Sequence, residues 1–210
     1  MTPWILFGAG QGAGLALAQR AAGHRPLYAL VRKEAQAQRL RDLGVQVTLG
    51  DACDTQALQA LYRQAGAHSA ILSSLGGGGH DYLAHRAIID CAVEQGIARM
   101  LLVTSLGCGE SWSLLSPRAR AAFGHAVREK SLAECWLQSS GMDFCILRPG
   151  GLLDGEASGQ ATLHRTPRHG LVRRADLAQW MYRLMEMPQA WGQIHTLVDR
   201  HLTPPERPVR

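Results

Sequence analysis

The tightest constraint in this sequence lies at its start. Four apolar residues, Trp4 to Phe7, run directly into Gly8-Ala9-Gly10-Gln11-Gly12-Ala13-Gly14. From Gly12 to Ala22 the chain then places Leu15, Ala18 and Ala22 on one helical face, with Gly23 as its stop. Without Cβ atoms, such a loop turns tightly and lets its backbone approach a ligand. The free N–H groups and dipole of the helix that follows favour negative charge there. Gly8, Gly10 and Ala13 satisfy the spacing G-x-G-x-x-A in the strand, loop, helix order that binds a dinucleotide pyrophosphate. A tight turn with a purely structural role is the alternative reading.

The rest of the chain repeats this alternation. Apolar runs of strand length occupy Leu27 to Val31, Val45 to Leu49, Ser69 to Leu72, Met100 to Thr104, Phe144 to Leu147 and Ile194 to Val198. Helical periodicity covers Lys33 to Leu43, Thr55 to Gln64, Tyr82 to Gln95, Ala119 to Ser139 and Ala175 to Met185. Asp54 or Thr55 can cap the third helix, and Gly96 and Gly141 can end the two longest. Strands alternating with helices predict an α/β fold, a single doubly wound parallel sheet of Rossmann type with helices on both faces. With 210 residues, the chain has room for one sizeable domain, expected over residues 1–200, with small substrate-side loops and a flexible C-terminal tail at 201–210.

A residue that selects the cofactor is expected at the end of the second strand, about 20 residues after the loop, where an acid would bind the ribose 2′-OH of NAD. Arg32 and Lys33 stand there instead. A guanidinium pairs well with the extra phosphate of NADP, so NADPH is the expected cofactor; a solvated basic strand end is the alternative. The net charge of +5 fits an anionic cofactor or substrate equally well without nucleic acid, because the basic residues form no single run and no helix interleaves them with aromatics. No metal is expected. The five cysteines show no C-x-x-C pair, and the spacings His80 to His85 and His164 to His169 lack the helical pair plus acid of a metal site. No run approaches the ~18 apolar residues of a membrane span, and Met1-Thr2-Pro3-Trp4 lacks the basic start of a signal peptide, so a cytoplasmic location is expected.

Taken together, Ile5 to Gly10, Ala29 to Arg32, Gly50-Asp51, Leu101 to Ser105, Ser140 to Phe144, Leu147 to Gly151 and Arg173 to Ala178 resemble the NAD(P)-binding atypical short-chain dehydrogenases. The resemblance is to the NmrA-like group that includes flavin reductase/biliverdin-IXβ reductase, and it covers nearly the whole chain. It implies that Gly8, Gly10, Gln11, Gly12, Ala13 and Gly14 cradle the pyrophosphate and that Asp51 and Ala52 contact adenine. By the same resemblance, Ser74, Leu75 and Gly76 wall the ribose, the loop Pro149, Gly150, Gly151, Leu152 flanks the nicotinamide, and Thr104 is a further cofactor-binding residue. Short-chain dehydrogenases also use Ser, Tyr and Lys, with Tyr four residues before Lys. Ser105 and Lys130 match, but Ala126 stands where the tyrosine belongs.

Without that acid, acceptors that tolerate protonation from solvent are favoured: flavins, quinones and linear tetrapyrroles. The resulting expectation is an NADPH-dependent reductase of a soluble small-molecule acceptor, with Ser105 and Lys130 as its catalytic residues. A non-catalytic NmrA-like redox sensor acting through a protein partner is the alternative. Trp112 can form an apolar lid or simply anchor its loop, and Arg165 and Arg168, with Arg173 and Arg174 beyond them, can give the mouth a positive field. His125 is a weaker candidate proton donor, and no segment reads as a dimer interface.

Overall fold

The computed structural model describes residues 1–77, 79 and 81–203. Gly78 of the Gly76 to Gly79 run, His80 of the His80 to His85 spacing and residues 204–210 of the expected tail lie outside the described residues. In chain order the elements are β1 (Trp4–Phe7), α1 (Gly12–Ala21), β2 (Leu27–Val31), α2 (Glu34–Arg41), β3 (Gln46–Leu49), α3 (Thr55–Ala65), β4 (Ala70–Ser73), α4 (Asp81–Glu94) and β5 (Arg99–Val103). A 3-10 segment (Gly109–Leu114) then precedes α5 (Pro117–Gln138), β6 (Asp143–Pro149), β7 (Gly151–Leu153), β8 (Thr162–His164), β9 (Leu171–Arg173), α6 (Arg174–Glu186) and β10 (Gln193–Val198).

The main sheet runs β3-β2-β1-β4-β5-β6-β10-β8, parallel except for the edge strand β8, which pairs antiparallel with β10. Successive residues of a strand point to opposite faces, and the core divides accordingly. Trp4, Leu6, Leu27 and Ala29 pack with α1, α2 and α6, whereas Ile5, Phe7, Tyr28 and Leu30 pack with α3, α4 and α5. Both faces are therefore covered, which bears out the expected doubly wound class. The short strands β7 and β9 form a separate two-stranded sheet that sequence periodicity did not reveal.

Local signals explain the helix ends. Asp54 caps α3, its carboxylate accepting from the Gln56 and Ala57 N–H groups. Helix α5 starts at Pro117, two residues earlier than expected, because the Ser116 hydroxyl accepts from the Ala119 N–H and proline suits the first helical position. Among the described residues no helix is long and apolar enough to cross a membrane, and no group of three or more His, Cys, Asp or Glu side chains is placed to hold a metal ion.

Candidate functional site

The strand order reverses between β1 and β4, since the chain winds outward from β1 through β2 to β3 and then returns to β4 on the other side. Crevices at the carboxyl ends of strands at such a switch point are the ligand sites of open α/β sheets. A cleft of about 710 Å³ opens there.

Its floor is the glycine loop. Gly8 holds φ +83°, and a Cβ on it would fall 2.7 Å from the Ser74 carbonyl carbon. A Cβ on Gly14 would collide with the Gly8 carbonyl oxygen and meet the Ser74 hydroxyl at 2.7 Å. Gly8 and Gly14 thus let β1, α1 and the loop after β4 close on one another. Gly10 differs, because only the movable end of the Gln36 side chain lies over it. Gln11 occupies the N-cap in extended conformation without a side-chain cap bond, and the first turn of α1 contains no acid. The N–H groups there face the cleft unneutralised, as an anion site requires. Gln11, Gly12 and Ala13 line the cleft with Gly8, Gly10 and Gly14.

One wall comes from the ends of β2 and β3. Arg32 Nη1 lies 3.7 Å from Asp51 Oδ2, both side chains being exposed, and Arg32, Asp51 and Ala52 all line the cleft. The Asp51 carboxylate also accepts from the Cys53 N–H, fixing that turn. Lys33 is the N-cap of α2 and does not line the cleft.

The opposite wall is the segment after β4. Ser74, Leu75 and Gly76 line it, with the Ser74 N–H donating to the Phe7 carbonyl. Lys130 reaches across from α5, its Nζ 2.5 Å from Asp81 Oδ2 and so close to Gly76 that a Cβ there would sit 2.6 Å from it. Burial raises the Asp81 carboxyl, but the hydrogen bond and charge of Lys130, with the Gly77 N–H, outweigh it and hold the group below the usual carboxylate range. His85 supports this wall from behind. Its Nδ1 meets the Asp81 carbonyl at 2.7 Å, and since a carbonyl only accepts, Nδ1 carries the hydrogen; Nε2 therefore accepts from the Ser73 hydroxyl at 2.9 Å. Complete burial pushes the imidazole down to about 4, against the weaker upward pull of that carbonyl, so the ring is neutral.

The far end is bounded by Thr104, Pro149, Leu152 and Phe123, while Arg174 lines the cleft beside Gly12 of the floor. The Thr104 hydroxyl donates to Glu134, which also binds the buried Arg148 in a fork through Nε (2.9 Å) and Nη2 (2.6 Å). This network ties β5, α5 and β6 together beneath the cleft. Gly150 and Gly151 pack against Gly170 and Leu171, making the joint that carries β7, and are not among the lining residues. Ser105 is half-buried beside Thr104, its hydroxyl donating to the Leu106 carbonyl, and it too is absent from the lining.

Three expected substrate residues are not brought to the cleft. Trp112 packs over Gly124, with the Arg120 and Arg128 guanidiniums 5.5 and 5.0 Å from its ring. Arg165 and Arg168 follow β8 at the sheet edge, where they lie near His195 and His164 respectively, and of the basic segment only Arg174 lines the cleft. His125 is exposed on α5. Sequence reasoning missed Asp81 and Phe123. An acid opening a helix was a signal for the first, and an aromatic residue outside the core stripe of α5 for the second.

The sequence matches the family described as NAD(P)H-binding over residues 8–188. Among solved structures, it is 51% identical to the ChuY anaerobillin reductase of Escherichia coli O157:H7, with a TM-score of 0.93 over 97% of this chain and 100% of that one. It is 48% identical to chuY of E. coli strain CFT073, with a TM-score of 0.87 over the same shares. Among curated proteins it is similar to the uncharacterized sugar epimerase YhfK of Bacillus subtilis (strain 168), at 27% identity over 165 residues, 73% of this chain and 72% of that protein. The glycine floor, the switch-point cleft and these matches bear out the resemblance to the atypical short-chain dehydrogenases, and the chain belongs to the NAD(P)H-binding family.

Proposed function

We propose that this chain is an NADPH-dependent reductase whose acceptor is a linear tetrapyrrole of the anaerobillin type. The reading is carried by one observation: a cleft with a glycine floor and an arginine at one end has a lysine-aspartate pair, with no tyrosine among the described residues that line it, at the other. The residues fit a dinucleotide, because Gly10, Gln11, Gly12 and Ala13 line the cleft floor and the first turn of α1 carries no acid to compete with a phosphate. In this assignment the glycine loop holds the pyrophosphate and Asp51 and Ala52 border the adenine. Arg32 takes the 2′-phosphate in preference to its exposed partner Asp51, with Lys33 adding charge nearby. Ser74 to Gly76 border the ribose, and Thr104, Pro149 and Leu152 the nicotinamide.

When bound, the cofactor supplies the hydride. The chain's own contribution is orientation and a proton. The Lys130 ammonium is anchored by Asp81 at the cleft wall on a side chain that remains 14% exposed, so a proton given to the acceptor is replaced from water. Acceptor plus hydride plus this proton gives the two-electron reduced product. Arg174, whose partner Asp154 is 90% exposed, stands beside Gly12 and is free to exchange that weak ion pair for an anionic group bound in the cleft.

Steady-state NADPH oxidation, measured with a linear tetrapyrrole, a flavin, a quinone and an aldehyde in parallel, tests this reading. Tetrapyrrole-dependent turnover with little aldehyde reduction is expected. Cofactor binding without turnover on any acceptor would refute it and point to a sensor.

A further inference from the structure

The cleft volume of about 710 Å³ falls within the range that a single ligand occupies. If the dinucleotide takes that space, a second planar molecule must rest at the mouth, against whatever side chains stand exposed there. Single exposed apolar side chains are ordinary on a protein surface, but those that line a ligand cleft offer a face for a bound molecule to cover. Among the described residues, two such side chains line the cleft: Phe123, 64% exposed, and Leu152, 40% exposed.

We infer that Phe123 and Leu152 form a pair of apolar jaws that grip the conjugated face of the acceptor and set its selection. The inference rests on the reading of the cleft as the NADP(H) site. The two jaws come from different, well-anchored elements. Phe123 stands on α5, seven residues past its Ser116 cap, and the neighbouring Gly124 is pinned beneath Trp112. The indole therefore secures the helix that presents Phe123, so the aromatic ring at the mouth belongs to Phe123 and not to Trp112. Leu152 is the middle residue of β7, paired with Val172 of β9. The β7 strand is set by Gly150 and Gly151: a Cβ on Gly150 would strike the Gly170 carbonyl, and one on Gly151 would fall 2.7 Å from the Leu171 side chain. Two cations, Lys130 and Arg174, line the same cleft, Arg174 beside Gly12 of the glycine loop. A ligand with a conjugated apolar face and carboxylate arms matches that arrangement of surface and charge.

The test is a calorimetric titration of biliverdin, a linear tetrapyrrole with carboxylate arms, into protein saturated with NADP⁺, so that binding is read without turnover. Wild type, Phe123→Ala, Phe123→Trp and Leu152→Ala are compared, and each is titrated separately with NADP⁺. Both positions are exposed, so the folds should survive, and melting curves check this. Phe123→Ala should weaken biliverdin binding about tenfold, the loss expected for an aromatic contact and its covered area, while NADP⁺ affinity stays at the wild-type value. Leu152→Ala should weaken it severalfold, and Phe123→Trp should retain it. Unchanged biliverdin affinity in both alanine variants would overturn the jaws while leaving the reductase reading intact. A wild type that binds biliverdin but not NADP⁺ would overturn the reading of the cleft itself, and the inference with it.

Discussion

His85 makes the β4–α4 wall sensitive to acid. The ring is buried, with its folded pKa lowered to about 4 against an ordinary value of 6.5. A base whose folded pKa is depressed contributes stability fully above its unfolded pKa and loses it as pH falls toward the folded one, because the unfolded chain binds the proton first. The window is therefore pH 6.5 down to 4. At about 1.36 kcal/mol per unit, the 2.5-unit gap amounts to roughly 3 kcal/mol in full, of which about 2 kcal/mol is lost between pH 7.5 and pH 5. The cause is burial: an imidazolium here is cut off from water and lies near the Lys130 charge, which together outweigh the support of the Asp81 carbonyl at Nδ1. Urea unfolding at pH 7.5 and pH 5, for wild type and His85→Gln, isolates the effect. Glutamine does not titrate, so wild type should lose about 2 kcal/mol more than the variant across that interval. Equal losses would refute the assignment of a neutral buried ring.

Arg32→Ala should weaken NADPH binding tenfold to a hundredfold, about 1.5 to 3 kcal/mol, and leave NADH binding unchanged in paired titrations. Gly14→Ala should cost about 1 to 3 kcal/mol in thermal or urea unfolding, since its methyl group meets backbone, whereas Gly10→Ala should cost less because Gln36 can move aside. Glu134→Ala should destabilise by less than the loss of about 3 to 5 kcal/mol for a fully unpaired buried charge, read by the same unfolding assay, because Arg148 keeps Glu110 at Nη1 while its Nε and Nη2 and the Thr104 hydroxyl lose their acceptor.

The parallel layers were legible because each long element repeats a period: Trp4 to Phe7 and Leu27 to Val31 are apolar on both faces, as strands covered on both sides must be. Strands β7, β8 and β9 were not, since three residues carry no period, and the pairing of β7 with β9 depends on Gly150, Gly151 and Gly170 meeting across the chain. At the site, the glycine loop and Arg32 were readable because pyrophosphate and 2′-phosphate contacts belong to one continuous β1-α1-β2 stretch. Lys130 was readable as a candidate, but its partner Asp81 lies 49 residues away and only the fold joins them. Trp112 illustrates the converse. An aromatic residue in a loop after a central strand suggests a lid, yet the ring is held between two arginines over Gly124, and its neighbour Phe123 faces the cleft instead.

Transfer of label tests the central claim most directly. NADPH carrying deuterium at the transferable C4 position is incubated with the protein and a linear tetrapyrrole in the absence of air, and the reduced tetrapyrrole is weighed by mass spectrometry. The account predicts one deuterium per product molecule from one of the two stereospecifically labelled cofactors and none from the other. A reduced product without label from either, or label from both in equal measure, would contradict direct hydride transfer within this cleft.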